Sequence, residues 1–434
     1  MYKQENITIT ELSLGLRVSG HQTIDCAALL IPKEGMLEAL IASFLHNVFP
    51  GVGSVIIQQA VSVMHPPTGN ETFTIAATVK AIDPLKKIVT LDIEVSDGVS
   101  KAVAQGEVVV IAPTEKMVVS SVPKSRDPYH NYGIHDVLSM PPLRTAVVHP
   151  VTALTLQSVY DAAQQGLILP VLVGAKDRII QAAKDLKLTI DDWEIIDAEH
   201  SHAAALKAVE LARWGHVDAL MKGSLKTNEL LSAVVSKTSG LSTERRISHA
   251  YVMDVPTYHK PLIITDAAIN ITPSLGHKRD ICQNAIDLWR VITDSPQCPK
   301  VAILAAAEVV NENIQASIDE ACLCKMVDRG QITGGVLDGP LAFDLAINHQ
   351  AAKEKGLVSL VAGDADILLA PDIHSGNMIA KQLTFLANAH AAGIVLGARV
   401  PVILTSRSDS LESRLISCAL AAKVAASRRD GKIK

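Results

Sequence analysis

From about residue 144 onward, short apolar runs alternate regularly with amphipathic stretches. The apolar runs have the length and the Val, Ile and Leu content of buried strands, and the stretches between them have helical spacing. Strands are predicted at 145–148, 169–173, 193–196 and 219–221, and helices at 155–163, 177–186 and 201–214. This alternation predicts a mostly parallel, doubly wound α/β sheet, which binds ligands beyond the carboxyl ends of its strands.

The composition is that of an aliphatic α/β protein, since 48% of the residues are hydrophobic and only 3% are aromatic. A chain of 434 residues is long enough for two or three domains. It has no apolar run of 18 residues and no signal-peptide pattern at its start, so we expect a cytoplasmic protein with no membrane partner. The net charge of −5 argues against a nucleic-acid partner. The six cysteines lack metal-ligand spacing, so we expect reduced thiols and no metal site.

The first 113 residues have a different pattern, which predicts a separate α+β domain. An apolar helical stretch lies within 32–49, and four strand-like runs follow at 55–64, 73–82, 88–95 and 102–111. The β-branched residues of these runs, with Pro, Gly or Asp between them, favour an antiparallel sheet wrapped around one helix, which is the hotdog arrangement. Residues 114–142 have the polar, proline-rich composition of an exposed linker, and 143–434 form the second domain.

The segment 361–381, VAGDADILLAPDIHSGNMIAK, predicts an anion site at a helix amino terminus. A buried strand is predicted at 367–370, a turn at Ser375-Gly376-Asn377 and a helix from Met378 onward. The first turn of a helix offers an anion its free N–H groups and the positive end of the helix dipole. The candidate ligand-binding residues of this segment are Asp364, Asp366, Asp372, Gly376, Asn377 and Lys381.

Polar residues also accompany other predicted strands. The segments are MKGSLKT (221–227), SHA (248–250), TDAAIN (265–270), AAAEVVNENI (305–314), VLDGPL (336–341) and TSRSD (405–409). Because the carboxyl ends of parallel strands meet at one edge of a sheet, we expect these segments to converge there. They supply the candidates Lys222, Gly223, Lys226, Thr227, Glu308, Asn311, Asp338 and Gly339. No GxGxxG or GxxxxGK[ST] motif is present, so a dinucleotide or nucleoside triphosphate site lacks its fingerprint.

Together and in this order, the segments resemble the phosphate acetyl/butyryltransferase family. The matching pieces are MKGSLKT, SHAYVMD, LIITDAAINITPSL, KVAILAAAEVVNENI, KMVDRGQITGGVLDGPLAFDLAI, VAGDADILLAPDIHSGNMIAK and VPVILTSRSDS. The resemblance implies two α/β subdomains similar to those of the isocitrate and isopropylmalate dehydrogenases, with the site in the cleft between them. It also implies reversible acyl transfer between coenzyme A and inorganic phosphate, giving an acyl phosphate, with coenzyme A as a substrate and no bound cofactor or metal. AAAEVVNENI and DGPLAFDLAI look closer to the butyryl branch than to the acetyl branch.

The same resemblance implies roles for residues near the carboxyl terminus. Ser406-Arg407 matches the family's Ser-Arg pair, with Ser406 as hydroxyl donor to the reacting centre and Arg407 as anchor for phosphate, which a planar guanidinium binds through two oxygens. The family uses an Asp seven residues after this Ser as base for the thiol, and here that position is Ser413. Asp409 and Glu412 are nearby substitutes, and Asp409 is the catalytic candidate.

The first domain resembles the later part of MaoC-like hotdog domains over FPGVGSVIIQQAVSVMHPPTGNETFTIAATVKAID. The family's G-D-x-N-P-x-H segment, whose Asp and His activate water, does not occur in the sequence. We therefore expect no hydratase activity and a role in assembling a homo-oligomer. The domain order is similar to that of proteins labelled bifunctional enoyl-CoA hydratase/phosphate acetyltransferase.

Two other functions remain open. An isopropylmalate-type dehydrogenase would share the fold but should have a cofactor loop and an acidic metal cluster, whose nearest counterpart is the pair Asp364 and Asp366. A non-catalytic coenzyme A-binding scaffold is suggested by the degenerate first domain, and the Ser406-Arg407 pair argues against it. The predicted partners are acyl-CoA, CoA, inorganic phosphate, acyl phosphate and further copies of the chain.

Overall fold

A computed structural model of the chain describes residues 2–24, 33–65, 71–98, 101–121, 128–132, 134, 136–238, 240–293, 295–405 and 409–433. The chain divides into two compact units, Met1–Pro123 and Lys124–Lys434. In the described ranges, no helix is both long enough and apolar enough to cross a membrane.

The first unit is an antiparallel sheet with one helix packed against it. Its elements are β1 (Tyr2–Glu5), β2 (Arg17–Ile24), α1 (Lys33–Asn47), β3 (Val55–Val63), β4 (Glu71–Asp83), β5 (Ile88–Ser96), β6 (Ala102–Ile111) and β7 (Val118–Ser121). β1 pairs with β7, and the other five strands form a sheet in the order β2-β4-β5-β6-β3. The four predicted strands and the predicted helix are confirmed to within two residues. β2 was not predicted, because RVSGHQTI is too polar to give a strand pattern.

The core of this unit lies between α1 and one face of the five-stranded sheet. Leu37, Ile41 and Phe44 recur at helical spacing on α1 and are fully buried. Leu91 and Ile93 alternate along β5 with more exposed residues and are buried in the same core. The buried faces of α1 and β5 are thus the ones that the helical spacing and the strand alternation of their apolar residues predict.

The second unit alternates strands and helices along most of its length. Its strands are β8 (Leu143–Val148), β9 (Ile168–Gly174), β10 (Glu194–Asp197), β11 (Ala219–Lys222), β12 (Ser248–Asp254), β13 (Leu262–Thr265), β14 (Lys300–Leu304), β15 (Val336–Leu341), β16 (Ile367–Leu369), β17 (His390–Leu396) and β18 (Val402–Ile403). Its helices are α2 (Pro128–Asn131), α3 (Ala153–Gln164), α4 (Lys176–Leu186), α5 (Ser201–Arg213), α6 (Thr227–Val234), α7 (Leu275–Thr293), α8 (Gln315–Asp328), α9 (Phe343–Ile347), α10 (His349–Glu354), α11 (Ile373–Leu386) and α12 (Leu411–Arg429). The strands and helices predicted between residues 145 and 221 are all confirmed, to within two residues at each end.

The strands of this unit form one sheet in the order β10-β9-β8-β11-β18-β17-β12-β13-β16-β14-β15. Neighbouring strands are parallel toward both ends of the sheet, but β17 is antiparallel to β18 and to β12, and β12 is antiparallel to β13. The sheet therefore has two parallel halves that point in opposite directions. We call the edge at the carboxyl ends of β8, β9, β11 and β18 the first edge. The edge at the carboxyl ends of β13, β14, β15 and β16 is the second edge.

Helices cover both faces of the sheet, as a doubly wound fold requires. Buried residues of α3, α4, α7, α8 and α12 form one continuous core cluster on one face. The other face is covered by α5 and α6 over one half and by α9, α10 and α11 over the other. The predicted class, an α/β fold with a largely parallel sheet, is confirmed.

The described residues between 128 and 142, predicted to be part of an exposed linker, are largely packed into the second unit. Tyr132, Ile134 and Val137 are buried in its core. Lys423 of α12 donates to the two carboxylate oxygens of Asp136 at 2.5 and 2.6 Å. The prolines and charged residues of this stretch give it the composition of a linker. Its buried apolar residues nevertheless pack in the core cluster that includes α12. The boundary between the units falls after Pro123, whereas the sequence placed domain limits at 113 and 143.

Candidate active site

A cavity of about 300 Å³ lies at the first edge, lined by residues of α11, β12, β17 and the start of α12. This volume is at the lower end of the range of small-molecule sites. Lys381 and Asp409, both predicted from the sequence, line it together. Further lining residues that the sequence did not single out as ligand contacts are Tyr251, Phe385, His390 and Ser410.

One face of α11 and the residue just beyond it supply much of the cavity lining, including its lysine. The lining residues on this face recur every three or four positions, at Ala380, Lys381, Thr384, Phe385 and Asn388. Residues with this spacing lie on one side of a helix, so the whole set faces the cavity when one member does. The sequence carried this signal, but only the position of the neighbouring strand showed which side of the helix faces a cavity.

The amino terminus of α12 supplies the carboxylate. Ser410 is the N-cap of this helix, and its hydroxyl accepts the backbone N–H of Ser413 at 3.1 Å. Ser413 stands where the resemblance places the thiol base, and it lines the cavity. Glu412 Oε2 lies 3.4 Å from His390 Nδ1. Of the two acidic substitutes, Asp409 is the one that lines the cavity.

Tyr251 on β12 adds a neutral hydroxyl to the cavity. Burial, together with the negative charge of Asp409, raises the pKa of Tyr251 to about 12. The ring of His249 packs edge-on against it, with the ring centroids 4.4 Å apart, and burial lowers the pKa of His249 to about 4. At pH 7 Tyr251 is therefore protonated and can donate one hydrogen bond.

A second, smaller cavity of about 30 Å³ lies at the same edge. Lys222 and Gly223 at the end of β11 line it, together with Thr405, which follows β18. Gly223 is required because an added Cβ would lie 2.1 Å from the carbonyl oxygen of Val148. The structure thus brings the start of the MKGSLKT segment next to the residue that precedes Ser406.

Ser406 and Arg407 lie outside the described residues, so their roles stay predictions. Their described neighbours Thr405 and Asp409 line the small and the large cavity respectively. Lys226 is the residue before α6 and is exposed, whereas Thr227 begins that helix and is half-buried. Both stand apart from the residues that line the two cavities.

The prediction that the polar segments converge on one edge is wrong. MKGSLKT and TSRSD lie at the first edge, whereas TDAAIN, AAAEVVNENI and VLDGPL follow or form strands that end at the second edge. SHA stands at the beginning of β12, which is also at the second edge. The physical reason is the antiparallel insertion of β17 and β12, which reverses the direction of the strands beyond them.

At the second edge, Asp372 caps α11, and Gly376 and Asn377 attach this helix to the turn after β13. Asp372 is the N-cap and accepts a backbone N–H of the first helical turn at 2.8 Å. A Cβ on Gly376 would lie 2.3 Å from the carbonyl oxygen of Asp266, and Asn377 Nδ2 donates to the carbonyl of Ala267 at 3.0 Å. The predicted turn at 375–377 is therefore the first turn of α11, and these residues dock the helix.

The other candidates near the second edge have local partners. Glu308 Oε1 accepts from Lys355 Nζ at 2.9 Å, and Asn311 Oδ1 accepts a backbone N–H two residues onward at 2.9 Å. Asp338 Oδ1 accepts the N–H of Gly339 at 2.9 Å. These contacts shape the loop after β14 and the strand β15, away from the two cavities of the first edge.

Asp364 and Asp366 belong to an ion-pair network at the amino end of β16. Lys260 Nζ lies 2.9 Å from Asp364 Oδ1 and 2.8 Å from Asp366 Oδ1, and Lys300 Nζ lies 2.6 Å from Asp364 Oδ2. Burial alone would raise the pKa of Asp364, but hydrogen bonds from Lys300 and Lys260 hold it well below its usual range. These ion pairs give Asp364 and Asp366 a structural role, and the ligand role predicted for them stays a prediction.

Glu320 on α8 is a fully buried carboxyl group, and neither of its oxygens has a hydrogen-bond partner in the described part of the chain. Burial raises the pKa of Glu320 to about 8 against the opposing charge of Lys278, compared with the ordinary value of 4.5. Between these two pH values the folded state keeps a proton that the unfolded state has released. The free energy of unfolding therefore falls as the pH rises through this window.

We expect Glu320→Gln to remove this fall in the free energy of unfolding with rising pH, because an amide does not ionise. At pH 8 the variant should be more stable than the unsubstituted protein by on the order of 4 kcal/mol, and the difference should shrink toward pH 4.5. Urea denaturation at several pH values measures this difference. The exposed Glu312→Gln is the control and should change stability by less than about 0.5 kcal/mol. An unchanged pH dependence in Glu320→Gln would contradict the buried-proton account.

Comparisons with known proteins agree with the motif pattern. Residues 200–422, just over half of the chain, match the family described as Phosphate acetyl/butaryl transferase. A protein named phosphate acetyltransferase from Rickettsia felis is 56% identical over 280 residues, covering 64% of this chain and 80% of the relative. One named phosphate butyryltransferase from Clostridium acetobutylicum is 41% identical over 273 residues, covering 63% of this chain and 90% of the relative.

A solved structure matches the same part of the fold. The crystal structure of a branched-chain phosphotransacylase from Enterococcus faecalis V583 aligns with a TM-score of 0.57 at 28% identity, covering 65% of this chain and 99% of that one. With 56% identity to a named relative and a family match over more than half its length, the chain belongs to the phosphate acetyl/butyryltransferase family and is a phosphate acyltransferase, which transfers an acyl group reversibly between coenzyme A and inorganic phosphate.

Proposed function

We propose that the acyl group is acetyl and that the protein interconverts acetyl-CoA and phosphate with CoA and acetyl phosphate. The identities support this choice, since a relative named phosphate acetyltransferase is 56% identical and one named phosphate butyryltransferase is 41% identical. They point away from the butyryl-branch interpretation of AAAEVVNENI and DGPLAFDLAI. Membership of the family also argues against the dehydrogenase and scaffold alternatives.

In the direction of acetyl phosphate, an oxygen of hydrogen phosphate attacks the thioester carbonyl. A C–O bond forms, a tetrahedral intermediate collapses, and the C–S bond breaks with its electron pair on sulfur. The CoA sulfur takes up the proton that hydrogen phosphate has lost. We assign Ser406 as donor to the oxygen of the intermediate and Arg407 as anchor for the phosphate. This sequence of steps uses coenzyme A as a substrate and requires no bound cofactor or metal.

The observation that carries the assignment is the shared lining of the large cavity by Asp409 and Lys381. In the reverse direction the CoA thiol, whose ordinary pKa is about 8.5, must lose its proton before it attacks acetyl phosphate. Asp409 follows the 406–408 segment directly in the chain, so we assign it as the base. Lys381 stabilises the thiolate by its positive charge.

We also propose a role for the first unit and an internal division of the second. One helix packed on a five-stranded antiparallel sheet supports a hotdog domain, MaoC-like in pattern, without hydratase chemistry and used to assemble a homo-oligomer. The reversal of strand direction between β18 and β13 supports two subdomains, as in the isocitrate and isopropylmalate dehydrogenases. Light scattering on the intact protein tests the assembly, and a monomeric mass would contradict it.

We expect the purified protein to release CoA from acetyl-CoA only when phosphate is added, and faster than from butyryl-CoA. Free thiol is measured with acyl groups of two to five carbons, each with and without phosphate. Crotonyl-CoA is included to measure hydration by the first unit, for which we expect no rate above background. Phosphate-independent turnover, or no turnover with any of the short acyl-CoA substrates, would contradict the proposal.

Asp409→Asn tests the base in the same assay run in reverse. We expect turnover to fall about tenfold at pH 7 and to recover toward pH 9, because the thiol ionises by itself near pH 8.5. Glu412→Gln is the matched control, since Glu412 contacts His390 and stands outside the lining residues. A loss in the control equal to that in Asp409→Asn would remove the base role from Asp409.

A further inference from the structure

Arg414, in the first turn of α12, is a buried cation at the small cavity of the first edge. Arg414 is only 6% exposed, and its Nη1 donates to Ser158 Oγ at 2.7 Å. The Ser158 hydroxyl donates in turn to the carbonyl of Leu154 at 2.8 Å. Because the Ser158 hydroxyl proton is directed at this carbonyl, the Ser158 oxygen accepts the N–H of the Arg414 guanidinium. Helix α3 therefore holds Arg414 in one orientation.

The small cavity has a positive character. Lys222 and Arg414 are the charged residues among the described ones that line it, and Thr155, Ser158 and Thr405 supply hydroxyl groups. An arginine stays protonated in proteins, and its planar guanidinium matches the oxygens of a phosphate. Such a lining favours a bound anion.

The position of α3 adds to this preference. Leu154 and Thr155 lie in its first turn, and both line the cavity. The free N–H groups and the positive dipole end of this twelve-residue helix are therefore on the same side as the two cations.

We propose that Arg414, oriented by Ser158, forms with Lys222 and Thr405 the subsite for inorganic phosphate and for the phosphoryl end of acetyl phosphate. The inference rests on the proposed transfer reaction. A phosphate group carries between one and two negative charges near pH 7, so one guanidinium alone would leave part of this charge without compensation.

The size of the cavity limits how phosphate enters. About 30 Å³ is room for about two water-sized groups, so the cavity receives two phosphoryl oxygens and the others stay outside it. The guanidinium of Arg414, oriented by Ser158, can hold these two oxygens in one position while an oxygen outside the cavity attacks the thioester. Arg414 thus binds one of the two substrates, and its loss should affect phosphate and not acetyl-CoA.

The test compares the two substrates in Arg414→Lys and Ser158→Ala. Lys keeps the charge but loses the planar fork, so we expect the KM for phosphate to rise about tenfold or more, which is the loss of one charge-assisted hydrogen bond. The KM for acetyl-CoA should stay within about twofold of its original value. Ser158→Ala should raise the phosphate KM in the same direction by a smaller factor, because it frees the guanidinium without removing it.

A second measurement needs no turnover. Inorganic phosphate alone should raise the melting temperature of the unsubstituted protein, and this rise should be lost in Arg414→Lys. Arg428→Lys is the matched control, because Arg428 lies on the same helix and donates to the carbonyl of Ala398 at 2.7 Å, apart from the cavity lining. It should keep both the phosphate KM and the phosphate-dependent shift.

Equal rises in both KM values, or an unchanged phosphate KM and melting shift in Arg414→Lys and Ser158→Ala, would mean that Arg414 only ties α12 to α3. If Arg414→Lys does not fold, the phosphate KM and the phosphate-dependent melting shift of Ser158→Ala and Lys222→Met test the subsite instead. If the unsubstituted protein shows no phosphate-dependent transfer, the proposed function fails. The melting shift with inorganic phosphate then decides separately whether the subsite exists.

Discussion

Arg407→Lys is expected to lower phosphate-dependent turnover about ten- to a hundredfold while the melting temperature stays nearly unchanged. If Arg407 holds phosphate through two charge-assisted hydrogen bonds, Lys keeps the charge but cannot reproduce the fork. One such bond contributes about 1.5–3 kcal/mol, which corresponds to this range of rates. Ser406→Ala removes a donor to the developing oxyanion and is expected to lower turnover about a hundred- to a thousandfold.

Phosphate-dependent kinetics of both variants, each with a thermal melt, measure these effects. Arg399→Lys is the control, since Arg399 is an exposed arginine that precedes β18 at its other end. It should change turnover by less than about twofold, because an exposed arginine contributes little. Kinetics near those of the unsubstituted protein for Arg407→Lys and Ser406→Ala together would remove this pair from the reaction.

Gly223→Ala is expected to destabilise the second unit by about 3 kcal/mol or more and to abolish phosphate-dependent turnover. The added Cβ would lie 2.1 Å from the carbonyl oxygen of Val148 and 2.9 Å from the carbonyl carbon and oxygen of His149. These are backbone atoms at the end of β8, so no side-chain rotation relieves the contact. The turn must move, and Lys222 moves with it.

Gly276→Ala is the matched control for this substitution. Gly276 lies in the first turn of α7, and an added Cβ there meets nothing within 4 Å. Alanine favours a helix over glycine, so we expect stability to rise by up to about 1 kcal/mol with unchanged turnover. Urea denaturation and the phosphate-dependent assay measure both variants. A Gly223→Ala protein as stable and active as Gly276→Ala would show that the turn at 222–224 is free to adapt.

Local patterns in the sequence were sufficient to predict many of the helices and strands and to identify the family. In the second unit, the bounds of the elements from β8 to β11 were predicted to within two residues from the apolar runs and the helical stretches between them. This was possible because the periodicity of apolar residues indicates which face of an element is buried. Four strands and the helix of the first unit were predictable for the same reason. The ordered motifs from MKGSLKT to TSRSD identified a phosphate acyltransferase, since they are local in the chain.

Which of the predicted residues lie close together depends on how the strands are ordered and directed in the sheet. Strand direction is not encoded in periodicity, so the antiparallel insertion of β17 and β12, which divides the strand ends between two edges, could not be foreseen. In the structure Asp372 caps α11, whereas Gly376 and Asn377 dock it to the turn after β13, and their predicted ligand role stays a prediction.

The contact between Ser158 and Arg414 illustrates the same limit. The two residues are 256 positions apart in the chain and become hydrogen-bonded only because α3 and α12 pack side by side on one face of the sheet. Each is an ordinary helix residue when the sequence is considered alone. A motif of neighbouring residues can be recognised from the sequence. A site formed by residues from several strands and helices depends on strand order and strand direction, which long-range packing determines.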